Sequence, residues 1–241
     1  MKLQFLGSGN AFAPGGRGWS CFLLNDRYLF DCGPQALSSL KRLAIDPARV
    51  EAIFITHFHA DHWLGAPFLF LEYDYMTRRD KVLEVVGPPG IEEKFEDMYE
   101  RGYFKNRKQK RFKVSYTEAA RSKAGEVAGL PYVSLPMNHA REKLEAFGYR
   151  VTIEGQLLAY TGDTAWCDEL LQLGEGADAM VIDCSYPGDG DAGTHMGFND
   201  AKRLRSLIDP KTTLILTHLQ ETPAESLPST IVAEDFATYE I

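Results

Sequence analysis

The segment His57-Phe58-His59-Ala60-Asp61-His62, set directly behind the apolar stretch Ala52–Ile55, constrains this chain more than any other feature in it. Four metal-ligating side chains in so short a span need a rigid platform that turns them to one side, and a buried strand ending in a loop provides one. Imidazole suits zinc and iron, and a carboxylate adds negative charge to hold a second cation. His57 and His59 stand two apart, so both rings can face the same way. Asp61 and His62 follow a step further and can face a neighbouring ion. A solvated loop with incidental histidines is the plainer alternative, but the chain has only 6 histidines and places three of them here.

Three further candidates stand where strand-like runs meet loops, which is where α/β folds place their chemistry. His139 follows Tyr132–Leu135, Asp163 lies in Tyr160-Thr161-Gly162-Asp163-Thr164, and His218 closes the run Thr213–Leu216. Singly, a histidine at a strand end is an ordinary hydrogen-bonding residue and an aspartate after glycine an ordinary turn residue. Together with the cluster they make five histidines and two carboxylates, a set large enough for two metal ions bridged by one aspartate.

The rest of the chain supplies the scaffold. Leu3–Leu6 reads as a strand ending in Gly7-Ser8-Gly9, a loop that lets backbone pack closely beside the site and lacks the spacing of a dinucleotide fingerprint. Cys21–Leu24 and Tyr28–Asp31 flank Asn25-Asp26 as a hairpin, and Leu37, Leu40 and Leu43 mark a helix that stops before Asp46-Pro47. Leu83–Val86 runs through Gly87-Pro88-Pro89-Gly90 into a helix around Glu92–Glu100. Tyr149–Ile153 and Leu157–Tyr160 form a second hairpin across Glu154-Gly155. Met180–Ile182 and Thr213–Leu216 are strands, with Leu204, Leu207 and Ile208 marking a helix between them. Strands in both halves with helices interspersed predict a layered α/β fold, read as one domain over residues 1–241. With 44% apolar and 25% charged residues the chain has ample material for a core, which excludes disorder, collagen and coiled coil. No run approaches the ~20 apolar residues of a membrane span. The N-terminus turns to glycine too soon for a signal peptide, so a cytoplasmic protein with no membrane partner is expected. A net charge of −8 argues against a generally basic nucleic-acid binder, and four cysteines without a Cys-x-x-Cys pair read as reduced, structural thiols.

In their order and setting, these residues resemble the metallo-β-lactamase-fold hydrolases, and more narrowly their ribonuclease Z-like branch. The likeness is carried by Leu6-Gly7-Ser8-Gly9, Leu29-Phe30-Asp31-Cys32-Gly33, the His-x-His-x-Asp-His cluster, Phe147-Gly148-Tyr149-Arg150, Tyr160-Thr161-Gly162-Asp163-Thr164 and Leu216-Thr217-His218. It implies a four-layer αββα sandwich, two mixed sheets flanked by helices, with the site at the edge between the sheets. It further implies that His57, His59 and His139 bind one divalent metal ion and Asp61, His62 and His218 another, with Asp163 bridging. Zinc is the expected metal, with Mn2+ or Fe2+ as alternatives. By resemblance the activity is that of a phosphodiesterase or ribonuclease Z-like enzyme using a metal-activated water, and the chain pairs as a homodimer. Asp61, besides binding metal, is the candidate to orient or deprotonate the water, and His195 to protonate the leaving oxygen. A surface histidine beside a helix start is the alternative reading of His195.

The departures from that branch are informative. Only Val151–Ala159 separates the Phe-Gly-Tyr-Arg motif from the Gly-Asp-Thr turn, so the long arm that grips the tRNA body has no room. Asp31-Cys32-Gly33-Pro34 and Ile182-Asp183-Cys184-Ser185 replace the branch's Asp-Cys-Gly-Glu and His-Glu-Ala-Thr stretches. A lactone, thioester or aryl sulfate ester hydrolase on the same centre is the alternative substrate reading, decided by loops such as Tyr73–Arg79 and Asp189–Gly197. An iron-bearing oxidoreductase is the non-hydrolase alternative, although flavodiiron relatives place a glutamate where His59 stands. A basic run, Lys105, Arg107, Lys108, Lys110, Arg111 and Lys113, follows Tyr103-Phe104. It reads as a solvated face balancing Glu92, Glu93, Glu96 and Asp97, with a nucleic-acid phosphate grip as the alternative.

Overall fold

Alternating apolar residues explain why the strands of this protein stack into two face-to-face sheets. In Cys21–Leu24, Phe22 and Leu24 face one core cluster while Cys21 and Leu23 face another; Ala52 and Phe54 divide from Ile53 and Ile55 in the same way. Both faces of such strands are buried, which is possible only inside a layered structure. A computed structural model describes residues 1–104 and 109–241. In chain order the elements are β1 (Lys2–Gly7), β2 (Cys21–Leu24), β3 (Tyr28–Phe30), α1 (Ala36–Arg42), β4 (Ala52–Phe54), α2 (Ala60–Trp63), α3 (Ala66–Tyr75), β5 (Leu83–Gly87), α4 (Ile91–Tyr103) and β6 (Val114–Glu118). There follow β7 (Lys123–Val127), β8 (Leu130–Pro136), β9 (Phe147–Ile153), β10 (Gln156–Tyr160), α5 (Glu169–Gly174), β11 (Ala179–Asp183), α6 (Phe198–Leu207), β12 (Thr213–Thr217), β13 (Thr230–Val232) and β14 (Thr238–Glu240).

The first sheet has the order β14-β1-β2-β3-β4-β5-β6 and the second β13-β12-β11-β10-β9-β8-β7. Each is mixed: β3 to β6 run parallel, as do β10 to β13, while the remaining neighbours pair antiparallel. Between the sheets lies an aromatic seam. Phe22, Phe30 and Phe54 stack at 4.9 and 4.7 Å, and Tyr160 of the facing sheet meets Phe22 edge-on at 5.1 Å. Truncating one such ring costs about 3–5 kcal/mol. The outer face of the first sheet buries Leu40, Leu69, Phe70 and Phe95 from α1, α3 and α4, and that of the second buries Leu170, Leu173 and Leu204 from α5 and α6. The four-layer αββα sandwich expected from the sequence is the fold observed.

Several local readings also correspond to observed elements. Asn25 and Asp26 both take positive φ (48° and 58°) in the three-residue loop that joins Leu24 to Tyr28. Glu154 and Gly155 also take positive φ, 52° and 80°, so β9 and β10 are joined by a tight turn that leaves no room for an arm. A side chain at Gly7 would collide with the Trp19 carbonyl, the close backbone approach expected of that loop. Other readings are corrected. Asp31 lies outside the hairpin strand, in the left-handed region at φ 55°. Leu207 ends α6 half-exposed, and Ile208 lies beyond it. The stretch Tyr73–Arg79 is not all loop, since its first three residues close α3. Tyr73 is the buried end of α3, donating to the Pro47 carbonyl, and the Arg79 guanidinium stacks on it while donating to the Val50 carbonyl at 2.6 Å. No helix among the described residues is long and apolar enough to cross a membrane.

Candidate metal centre

The C-terminal ends of the parallel strands all open on one edge of the sandwich, and the chemistry-bearing residues gather there. His57 leaves β4 after Ile55-Thr56. His59 precedes α2, and the first turn of that helix carries Asp61 and His62. His139 follows β8, Asp163 follows β10, and His218 follows β12 in the left-handed region at φ 58°. Non-glycine residues hold that conformation only where surrounding contacts impose it. Gly162 permits the turn before Asp163, since a side chain there would run into Thr56.

The seven residues converge as two groups. His57, His59, His139 and Asp163 offer ligand atoms within 4.8 Å of one another, and Asp61, His62 and His218 form a second such group. One oxygen of Asp163 faces residues of both: Oδ2 lies 3.7 Å from His57 Nε2 and 3.8 Å from His139 Nε2, and 3.3 Å from Nε2 of both His62 and His218, and Asp163 forms a further group with Asp183, His195 and His218. Asp61 Oδ2 sits 3.3 and 3.5 Å from those last two nitrogens.

Hydrogen bonding on the far side of the rings decides which nitrogen each histidine presents. His62 Nδ1 donates to the Asp31 carboxylate at 2.8 Å, and His139 Nδ1 donates to the Thr194 carbonyl at 2.6 Å. The Thr56 hydroxyl donates to Asp31 and therefore accepts from His57 Nδ1, at 3.0 Å. Likewise the Ser185 hydroxyl donates to Asp183 and accepts from His218 Nδ1, both at 2.7 Å. In all four rings a proton is drawn to Nδ1 and Nε2 faces the cluster, where that of His139 meets His59 Nδ1 at 2.9 Å. His57 Nε2, His62 Nε2 and Asp163 Oδ1 are buried there without any hydrogen-bond partner. Polar atoms orphaned inside a protein are costly, by about 1–3 kcal/mol each, and a cation is the partner this donor set lacks. The residues therefore fit divalent metal ions.

The electrostatics of the two groups differ. Burial, reinforced by neighbouring imidazoles, holds His57, His59 and His139 below the ordinary histidine range, so they are neutral at physiological pH. Burial acts the same way on His62, but the Asp163, Asp61 and Asp31 carboxylates around it overcome this and raise its affinity for a proton. That proton would have to leave for Nε2 to hold a metal. Burial opposes ionisation of Asp163, yet His218, His62 and His57 hold its carboxyl far below the usual range. Burial opposes ionisation of Asp61 too, and His62 and His218 again prevail.

His195 stands at the rim, 20% exposed, its ring stacked on His218 with centroids 5.1 Å apart. Its Nδ1 donates to Asp183 Oδ2 at 2.8 Å. Burial works against its charge, but the Asp183 hydrogen bond and the nearby carboxylates raise its pKa to about 9, so it is cationic at neutral pH. In sequence Asp31 stands in a motif without a task, while Asp183 and Ser185 belong to a stretch expected only to change the surroundings of the candidate acid His195. In the structure Asp31 binds Thr56, His62 and Tyr160, and Asp183 links His195 to Ser185 and, through it, to His218. Asp191 was missed altogether. It accepts from the backbone N–H groups of Gly193, Thr194 and His195, fixing the loop whose carbonyls bind Ala140 and His139. The signal for Asp183 was present: a charged residue ending a strand of otherwise apolar, fully buried side chains.

Of the basic run, Lys105, Arg107 and Lys108 lie outside the described residues. Lys110 is not available to a nucleic acid, because its ammonium is buried against Glu96. Arg111 lies over the Tyr75 ring at 5.6 Å, and Lys113 is exposed.

Comparison with known proteins agrees with this architecture. The family model described as Beta-lactamase superfamily domain matches residues 26–219, a span that contains every residue of the cluster. Ribonuclease Z of Methanothermobacter thermautotrophicus is 26% identical, with all of this chain and 97% of the relative covered. The alignment spans 302 positions, so the relative carries residues that this shorter chain lacks. Ribonuclease Z of Thermococcus gammatolerans is 29% identical over 80% of this chain and 75% of its own. Among solved structures, the short form of human tRNase Z superposes with a TM-score of 0.78 at 22% identity, covering 100% of this chain and 99% of that one.

Proposed function

The chain belongs to the Beta-lactamase superfamily domain family, and from that premise we propose that it is a dinuclear, zinc-dependent phosphodiesterase of ribonuclease Z-like chemistry. The observation that carries the reading is the set of four histidines whose Nδ1 protons are each committed to a partner, so that their Nε2 atoms surround one shared aspartate oxygen. His57, His59, His139 and Asp163 would hold one cation, and Asp61, His62, His218 and Asp163 the other. Nitrogen and oxygen donors in this number suit zinc. Two such ions supply Lewis acidity to a phosphoryl oxygen and an activated water.

The protein groups supply orientation and proton movement. Asp61 is too weak a base to store a proton, so it is assigned as a ligand and as the acceptor that orients the attacking water. His195, charged at neutral pH, delivers a proton from Nε2 to the departing oxygen as the phosphorus–oxygen bond breaks, and Asp183 stabilises the cation until transfer. The tight β9–β10 turn favours small or single-stranded phosphodiesters over a folded tRNA. A hydrolysis panel tests this reading, using zinc-, manganese- and iron-loaded protein on phosphodiester, lactone, thioester and aryl sulfate substrates. Preferential turnover of the phosphodiester is expected; preferential turnover of another ester would refute the substrate class.

A further inference from the structure

Beside the cluster runs a cleft of about 570 Å3, and its walls include Phe58, Pro89, Lys94, Arg141 and Lys143. Two of these residues tie it to the metal centre. Phe58 stands between His57 and His59, and Arg141 follows His139 by two positions. Consecutive Cα atoms are only about 3.8 Å apart, so cleft and cluster share a wall. Lys94 reaches in from α4, its ammonium 5.0 Å from the centre of the Phe58 ring. Arg141 donates from Nε to the Met137 carbonyl at 3.3 Å and makes a long contact to Glu169 at 3.6 Å, while Lys94 and Lys143 form no ion pair among the described residues. Among the described residues, Glu145 is the only acid on the cleft wall. Three cations against one carboxylate reverse locally the sign of a chain whose net charge is −8.

We propose that this cleft seats a second phosphate of the substrate, so that the preferred substrate is a nucleotide-like phosphodiester bearing another phosphate next to the scissile one. The cations take the charge, and the Phe58 face takes the adjoining sugar or base. The second phosphate is either a terminal monoester or an internucleotide diester; both offer the same anionic oxygens. The substrate class rests on the hydrolase reading above, whereas anion binding in the cleft requires no turnover.

Calorimetry on zinc-loaded protein tests the seat directly, comparing thymidine 3′,5′-bisphosphate with thymidine 5′-monophosphate. The wild type should favour the bisphosphate roughly 10-fold, as expected of a few solvent-facing charge contacts. The preference should shrink with added salt. Lys94→Gln, Arg141→Gln and Lys143→Gln should each erode it, and the triple variant should abolish it; the single variants guard against a triple variant that fails to fold. The trinucleotide TpTpT compared with TpT distinguishes an internucleotide from a terminal phosphate, and a cation-dependent preference in either comparison supports the seat. No preference in the wild type in either comparison, or one that survives the triple substitution, would overturn the proposal. Hydrolysis of the p-nitrophenyl ester of thymidine 5′-phosphate is followed in parallel. Its absence would refute the hydrolase reading, while the binding ratios would still decide the cleft.

Discussion

Replacing Asp183 by asparagine tests whether the buried carboxylate is what keeps His195 charged. The carboxylate accepts the Nδ1 proton at 2.8 Å, and His195 titrates near 9 against an ordinary 6.5. That difference corresponds to about 3 kcal/mol, at about 1.4 kcal/mol per pH unit. Because the folded value is the higher one, the pair contributes its full stabilisation below pH 6.5 and loses it as pH rises through about 9. Asparagine keeps the shape and removes the charge, so His195 should fall back toward 6.5. At pH 8 its protonated fraction would drop from about nine-tenths to about one-thirtieth, lowering the rate on a substrate with an alkoxide leaving group about 30-fold. At pH 5.5 the two proteins should nearly agree. The assay is a pH–rate profile accompanied by a proton NMR titration of the His195 ring and a metal count. A His195 that still titrates near 9 in the variant would refute the assignment.

Three further outcomes are expected. His195→Ala should cost about 10²–10⁴-fold with an alkoxide or ribose leaving group, much less with a nitrophenolate, and leave the metal count unchanged. Asp31→Ala strands Thr56, His62 and Tyr160 together, and denaturant unfolding should show a loss of about 3–5 kcal/mol. Asp191→Ala should weaken metal binding about 10–100-fold through His139 and lower turnover through His195, with partial recovery in Asp191→Asn; calorimetry and steady-state kinetics check both.

The parts of this protein that sequence made legible are those set by local rules. The His-x-His-x-Asp-His run behind an apolar strand, the two hairpins and the helix after Gly90 all follow from periodicity, turn chemistry and ligand spacing. What stayed hidden depends on pairings between distant segments. Asp31 acquires its role only because β3 and β4 lie side by side and bring Thr56 to its carboxylate. Asp183 and His195 meet across the Asp189–Gly197 loop, whose shape Asp191 sets. The helix α3 escaped notice because apolar residues lie on nearly all of its sides, which erases the 3.6-residue stripe. The edge strands β13 and β14 are only three residues long and half-exposed, too short to leave a pattern. Sequence set the basic run against Glu92, Glu93, Glu96 and Asp97 on a solvated face, and only the packing of α4 shows that Lys110 meets Glu96 buried.

The central claim is that Asp163 joins two metal sites into one centre, and metal titration followed by elemental analysis measures it most directly. Close to two zinc ions are expected per wild-type chain. Fewer are expected in Asp163→Ala, where the oxygen shared by His57, His139, His62 and His218 is gone. A wild-type chain that saturates at one ion under excess zinc, or an Asp163→Ala chain that still binds two, would contradict that claim.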